Sequence, residues 1–241
     1  MKTIICQTPE DLGAKAAVHC AQIINKAIEE KGYANIVLST GASQFDTLSS
    51  LINQPIDWSR VTVFHLDEYV GMSIEHKASF RRYLNERFVS KVNLAEFVPV
   101  DGEGEKYEKI TQLCKRIDDV EIDIALIGIG ENAHIAFNDP PADFDIEQPY
   151  ILVELDQDCR NQQVGEGWFD SIADVPTHAI SMSVQQILKS KVILSCVPYL
   201  VKADAVFKTI NNDINPATPA TALKNHPDWT LYIDKDSASK L

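Results

Sequence analysis

Two short stretches of this chain hold residue types and spacings suited to proton transfer. The first is Gly128-Ile129-Gly130-Glu131-Asn132-Ala133-His134-Ile135-Ala136-Phe137-Asn138-Asp139-Pro140-Pro141, which carries an imidazole and a carboxylate five residues apart. Imidazole titrates near neutrality and can shuttle protons at an oxygen. A nearby carboxylate orients it and favours its charged form. The second is Asp67-Glu68-Tyr69, placed directly after the apolar run Val61–Leu66. A carboxylate at a strand end in a crevice is suited to moving a proton to or from carbon next to a carbonyl. The plainer alternatives are a histidine bonded to backbone in a turn and an acidic pair used for capping or ion pairing.

An anion site is suggested by Ser39-Thr40-Gly41-Ala42-Ser43. Small residues where a helix begins leave backbone N–H groups accessible, and the helix dipole favours negative charge there. The loop lacks the Gly-Lys-Ser/Thr ending of a Walker A motif and is not GxGxxG, so an ordinary turn capped by Ser43 is the competing reading. Lys202, near the start of a helix in Val201-Lys202-Ala203-Asp204-Ala205-Val206, sits against the dipole preference. That hints at an anionic ligand, although a solvent-facing lysine satisfies the same pattern. No GxSxG supports a serine hydrolase and no HExxH spacing supports a metal, so neither metal nor cofactor is expected.

The elements that must position these groups alternate in type. Strands are expected at Met1–Cys6, Ile36–Leu38, Val61–Leu66, Ile122–Ile127, Tyr150–Leu155, Ala179–Val184, Lys191–Val197 and Trp229–Ile233. Between them fall a helical stripe over residues 9–31, capped by Thr8 and ended by Gly32, and further helical patterns near residues 45–52, 80–88, 107–117 and 199–209. Strands alternating with helices predict an α/β fold with a mostly parallel sheet covered on both faces. A buried central strand ending at the His134 loop places that loop where open α/β sheets bind ligands. No Pro/Gly/Ser-rich linker and no repeat divides the chain, so residues 1–241 are read as one domain.

Composition narrows the partners. Lys and Arg number 22 against 35 Asp and Glu, a formal net charge of −13. Phosphate backbones are bound by basic patches, so nucleic acid is disfavoured. A small anionic substrate is not excluded, because local donors outweigh a distant screened field. No apolar run approaches the ~20 residues that span a bilayer, which argues against a membrane partner. The first residues lack a signal peptide's apolar region. Five scattered cysteines without CxxC spacing fit reduced thiols, and the expectation is a cytoplasmic protein.

Taken together, these segments resemble the glucosamine-6-phosphate deaminase/isomerase family. The likeness is carried by Ser39–Ser43, Phe64-His65-Leu66-Asp67-Glu68-Tyr69-Val70-Gly71, Gly128–Pro140, Lys202–Val206 and Pro219-Ala220-Thr221-Ala222-Leu223 with His226-Pro227. It implies a Rossmann-like three-layer α/β/α fold and conversion of an amino-sugar phosphate to a ketose phosphate plus ammonia without metal, in amino-sugar and N-acetylglucosamine catabolism. By the resemblance, Asp67 is the base between C2 and C1, His134 opens the pyranose ring, and Asp139 orients His134. Thr40, Gly41, Ala42, Ser43 and Lys202 hold the phosphate of a phosphosugar substrate. A homo-oligomer is left open.

Five departures accompany the likeness. Asn132 stands where the best-known members have Asp, and Asp139 where they have Glu. Gly167-Trp168-Phe169 lacks the arginine that grips the phosphate, and Arg160 is the expected substitute. Gln44 replaces a frequent proline after the loop, and Ile146–Leu152 lacks the basic residues of the allosteric site. The sugar is glucosamine 6-phosphate or its galactosamine epimer. The rival readings are a 6-phosphogluconolactonase-type hydrolase and a catalytically inactive sugar-phosphate-binding regulator.

Overall fold

A computed structural model describes residues 1–241. In chain order its elements are β1 (Lys2–Cys6), α1 (Pro9–Lys31), β2 (Ala34–Leu38), α2 (Phe45–Leu51), β3 (Val61–His65), β4 (Asp67–Tyr69), α3 (Phe80–Arg87), β5 (Glu96–Val98), α4 (Lys106–Ile117), β6 (Ile124–Leu126), β7 (Tyr150–Glu154), α5 (Gln157–Gly165), β8 (His178–Met182), α6 (Val184–Leu188), β9 (Val192–Val197), α7 (Ala203–Asn211) and β10 (Trp229–Asp234). Seven strands form one sheet in the order β1-β10-β9-β6-β2-β3-β5. Every pairing in it is parallel.

Side-chain alternation divides the strands between two cores. Ile36, Leu38, Val63, Ile124 and Leu126 pack under α1, α2 and α3. Val37, Phe64, Ala125, Ile193 and Val197 pack on the other face under α4, α6 and α7. A parallel sheet covered on both faces needs near-continuous apolar strands, and Ala34–Leu38 is buried at every position. Helix α1 starts and stops where its ends are chemically satisfied. Thr8 Oγ1 accepts from the Asp11 N–H at 3.2 Å, Pro9 opens the helix, and Gly32 ends it at φ 87°. No helix is long and apolar enough to cross a membrane.

The strands at Tyr150–Glu154 and His178–Met182 do not join the main sheet. They pair antiparallel with each other, and β8 pairs antiparallel with Asp67–Tyr69, making a second sheet in the order β4-β8-β7. Leu66 is the joint between the two sheets. Its N–H donates to Leu38 O at 3.3 Å, and its carbonyl accepts from Met182 N–H at 2.9 Å. The tyrosine hydroxyl of Tyr150 holds the same corner by donating to His65 O at 2.7 Å. The expected strand Val61–Leu66 therefore ends one residue early, and Asp67 begins a strand of its own.

Strand β6 lies at the centre of the seven. Chain order runs outward from β2 through β3 to β5, then returns to the opposite side of β2 with β6, β9 and β10. That reversal is a topological switch point, where the connections leaving neighbouring carboxyl ends part and open a crevice. The segments leaving β9, β6, β2 and β3, four adjacent strands, are those carrying Lys202, His134, Thr40–Ser43 and Asp67.

Candidate active site

A cleft of about 870 Å³ opens at these strand ends. Thr40, Gly41, Ala42, Ser43, Asp67, Asn132, His134 and Lys202 all line it. Residues 67 and 134, far apart in sequence, thus face one space.

The Thr40–Ser43 turn passes through Gly41 at φ 102°, a backbone conformation that L side chains rarely adopt. A short 3-10 turn, Ala42–Gln44, then leads into α2. The turn is pinned at both ends: Ser39 N–H donates to Leu126 O at 3.2 Å, and Tyr83 Oη donates to Gly41 O at 2.8 Å. On the opposite wall, Lys202 is 6% exposed. Burial pushes its ammonium below the ordinary lysine value, while Glu166 and Glu131 favour the charge. A buried cation facing a cleft is the complement of an anionic ligand. Lys202 is placed by a strained turn, with Tyr199 at φ 82° and its N–H donating to Asp234 Oδ2 at 3.1 Å.

Asp67 is 5% exposed, and its carboxyl is raised well above the usual range by burial and by repulsion from Glu68. Raising a carboxyl makes its ionised form a stronger base. Glu68, the neighbour, is fully buried and serves structure. It accepts from Ser79 Oγ at 2.8 Å and from the Arg81 N–H at 2.9 Å, and the Arg81 guanidinium lies at 3.4 Å. The acidic pair therefore divides into one carboxylate that faces the cleft and one that ties α3 to β4.

His134 approaches Asp139 with Nδ1 at 3.1 Å from Oδ1. The contact acts on Asp139 as a hydrogen bond first and through charge second. Burial works against the Asp139 charge, but His134, Asn132 Nδ2 (3.3 Å) and the Asp156 N–H (3.3 Å) outweigh it, and the carboxyl lies below its usual range. Asp139 does not line the cleft; it sits behind the imidazole. Cys159 completes a group whose N, O and S donor atoms lie within 4.8 Å of one another. Burial, with Asp139 and Asp156 nearby, pushes that thiol far up.

Asn132 bridges this group. Its Oδ1 accepts from the His134 N–H at 3.0 Å, and its Nδ2 faces Asp139 Oδ1 at 3.3 Å and Asp156 Oδ2 at 3.5 Å. A neutral donor between two carboxylates is not equivalent to an aspartate. Asn132→Asp is therefore expected to cost about 1–3 kcal/mol of stability at neutral pH. A third carboxylate raises a folded-state pKa, so the deficit must shrink as pH falls. Melting curves at several pH values check this, and a pH-independent difference would count against it.

Arg160 does not join the site. It lies outside the cleft lining, and its guanidinium donates to the carbonyls of Ile172 at 2.6 Å and Val175 at 3.2 Å, closing the turn after α5. The expected substitution for the missing arginine is thus not made there. The cations that line the cleft are Lys202 and Lys208. At Gly167-Trp168-Phe169, the indole of Trp168 borders the cleft and donates to Glu166 at 3.0 Å, while Phe169 stacks edge-on against Tyr69.

Three contributors were not singled out from sequence. Asp156 caps α5 and supports Asp139; an Asp three residues before Cys159 is the capping pattern that could have marked it. Gln162 accepts from the Glu131 N–H at 3.1 Å and donates to Glu166 at 2.7 Å, linking the His134 loop to α5. Tyr199 left no sequence signal, because a tyrosine at positive φ is not a residue preference.

Comparison with known proteins bears on the family and the fold. A family model described as glucosamine-6-phosphate isomerases/6-phosphogluconolactonase matches residues 7–232. Glucosamine-6-phosphate deaminases of Bacillus thuringiensis (strain Al Hakam) and Bacillus anthracis (strain CDC 684 / NRRL 3495) are each 32% identical over 243 residues, covering 99% of this chain and 88% of theirs. A solved monomeric glucosamine-6-phosphate deaminase superposes with a TM-score of 0.92 at 32% identity, over 100% of both chains. A 6-phosphogluconolactonase from Thermotoga maritima shares the fold, with a TM-score of 0.80 at 15% identity over 97% of this chain and 99% of its own.

Proposed function

The chain belongs to the glucosamine-6-phosphate isomerase/6-phosphogluconolactonase family, and from that premise we propose that it is an amino-sugar phosphate deaminase acting on glucosamine 6-phosphate or its galactosamine epimer. The observation that supports this reading is the shared cleft, lined by the carboxylate of Asp67, the imidazole of His134 and the Thr40–Ser43 turn.

The roles follow from position. Backbone N–H groups of Thr40–Ser43 and the ammonium of Lys202 hold the phosphate, leaving the sugar ring against Asp67 and His134. His134 moves a proton at the ring oxygen as the pyranose opens, and Asp139 steadies the imidazolium. Asp67 takes the C2 proton, now acidified by the adjacent C1 aldehyde, and returns it to C1. The double bond ends between C2 and nitrogen. Water adds at C2, and the C–N bond breaks to release ammonia and leave the ketose phosphate.

A lactonase needs a water activated at an ester carbonyl and no base at C2. Placement of a buried, elevated carboxyl in the cleft favours the deaminase. The deciding experiment assays glucosamine 6-phosphate, galactosamine 6-phosphate and 6-phosphogluconolactone for ammonia, ketose phosphate and acid. Ammonia with ketose phosphate from one of the amino sugars is the expected result; acid from the lactone alone would sink the proposal. Binding of the amino-sugar phosphates without turnover would identify a regulator instead.

Lys202→Met is expected to raise KM for the phosphosugar by about 10- to 100-fold, the scale of a lost charged hydrogen bond. The melting temperature should hold or rise, because the change removes a buried charge. An unchanged KM would take Lys202 out of the anion cradle.

A further inference from the structure

The residue after the anion loop, Gln44, is 1% exposed and sits outside the cleft lining. Its Nε2 lies 2.9 Å from Ser43 Oγ and 3.1 Å from the carbonyl of Cys196, at the end of β9. A side-chain amide can be turned either way round, so the partners must decide which atom is which. Here one partner settles it. A carbonyl oxygen only accepts, so the atom facing Cys196 O must be the NH₂ nitrogen.

That assignment constrains the serine. The NH₂ group has two hydrogens: one goes to Cys196 O and the other to Ser43 Oγ, which is thereby an acceptor. A hydroxyl that accepts keeps its own proton free for a different partner. Ser43 lines the cleft, so that proton is available to a ligand oxygen there. Gly128 on β6's loop packs against the pair: a Cβ there would stand in ordinary contact, 3.4 Å from Gln44 Nε2 and 3.9 Å from Ser43 Oγ. The amide reaches across from the loop of β2 to the end of β9.

We propose that Gln44 is a positioning residue that fixes Ser43 Oγ as a hydrogen-bond donor to the anion held by the Thr40–Ser43 loop. The inference rests on reading that loop as the phosphate cradle. A proline at this position has no NH₂ group to orient the serine, so the device belongs to this chain's own sequence at 44.

A double-mutant cycle tests it, read by calorimetric binding of inorganic phosphate and by steady-state kinetics. Gln44→Met fills the space but donates nothing. It is expected to weaken phosphate binding and raise KM together, by about three- to tenfold, with kcat within about twofold. Ser43→Ala should cause a similar loss, and Gln44→Met added to Ser43→Ala should add little, since the group it orients is already gone. If Gln44→Met does not fold, Gln44→Glu serves as the second variant. Its carboxylate accepts the Ser43 proton and must weaken phosphate binding more than Ser43→Ala does. Equal losses from Gln44→Met with and without the Ser43 hydroxyl would overturn the proposal, as would a loss of kcat with phosphate binding intact. Should no amino-sugar phosphate turn over while the cycle still couples, the function reading fails and the positioning role stands. Normal deaminase turnover with an additive cycle gives the converse.

Discussion

Asp67→Asn is expected to lower kcat by about 10²–10⁴-fold, the range a positioned general base contributes. Inorganic phosphate binding should change little, because the substitution removes a proton acceptor and leaves the Thr40–Ser43 loop and Lys202 in place. The pH dependence of the native enzyme follows from the direction of the Asp67 shift. Its carboxyl is raised by burial and by Glu68, so turnover on the acid side must fail at a pH above the ordinary aspartate range. The same shift has a consequence for stability. A carboxyl with a raised folded pKa stabilises the fold fully only below its unfolded value, and that contribution is lost as pH rises through the folded pKa. Above the folded pKa the ionised Asp67 therefore works against folding, and a neutral amide in its place relieves the penalty. The variant should melt no lower than the native protein. Near-normal turnover would remove Asp67 from the role of base, and a lower melting temperature with lost phosphate binding would make it structural.

Such a pairing of lost activity with held stability separates a site residue from a packing residue, and it bears on what the sequence could reveal. The position of His134 was legible because the apolar run before Gly128 could only be a covered strand, and a central parallel strand delivers its loop to the crevice. Placement of Asp67 was legible for the same reason: it directly follows Val61–Leu66. What stayed hidden was the second sheet. Tyr150–Glu154 and His178–Met182 carry strand-like residues whichever sheet they join, and only the corner at Leu66, held by Leu38 and Met182, decides. Helix α5 was also missed. Gln157–Gly165 buries only Cys159 and Gln163, too few groups to give an apolar stripe, and its start depends on the Asp156 cap. Arg160 illustrates a different limit. A position in an aligned segment says nothing about which carbonyls the guanidinium finds, and here Ile172 and Val175 hold it.

Gly130→Ala is expected to be the most damaging change of a single methyl group in the site. A Cβ at 130 would stand 2.2 Å from His134 Cε1, 2.3 Å from Nε2 and 2.5 Å from Nδ1, closer than real carbon contacts allow. The glycine is required for space, because the imidazole lies flat against its backbone. Neither side of the contact can yield easily. Gly130 N–H donates to His134 O at 2.9 Å and its carbonyl accepts from Ala133 N–H at 3.0 Å, so loop and ring belong to one closed turn. Ala133 at φ 68° and Ala136 at φ 50° already hold that turn in left-handed backbone on both sides of the histidine. To admit the methyl group, the ring must move by about 1 Å, a displacement that costs about 10²-fold in rate when a proton must be delivered along a fixed line. Overpacking should also lower stability by about 1–3 kcal/mol. Phosphate binding, which uses the neighbouring strand's loop, should persist. The cause is checked by repeating the substitution with alanine at 134. Without an imidazole the three closest collisions are gone, and Gly130→Ala should then lower the melting temperature much less. An equal thermal deficit in both backgrounds would place the collision in the backbone, and His134 would lose its claim to a position set by the glycine beneath it.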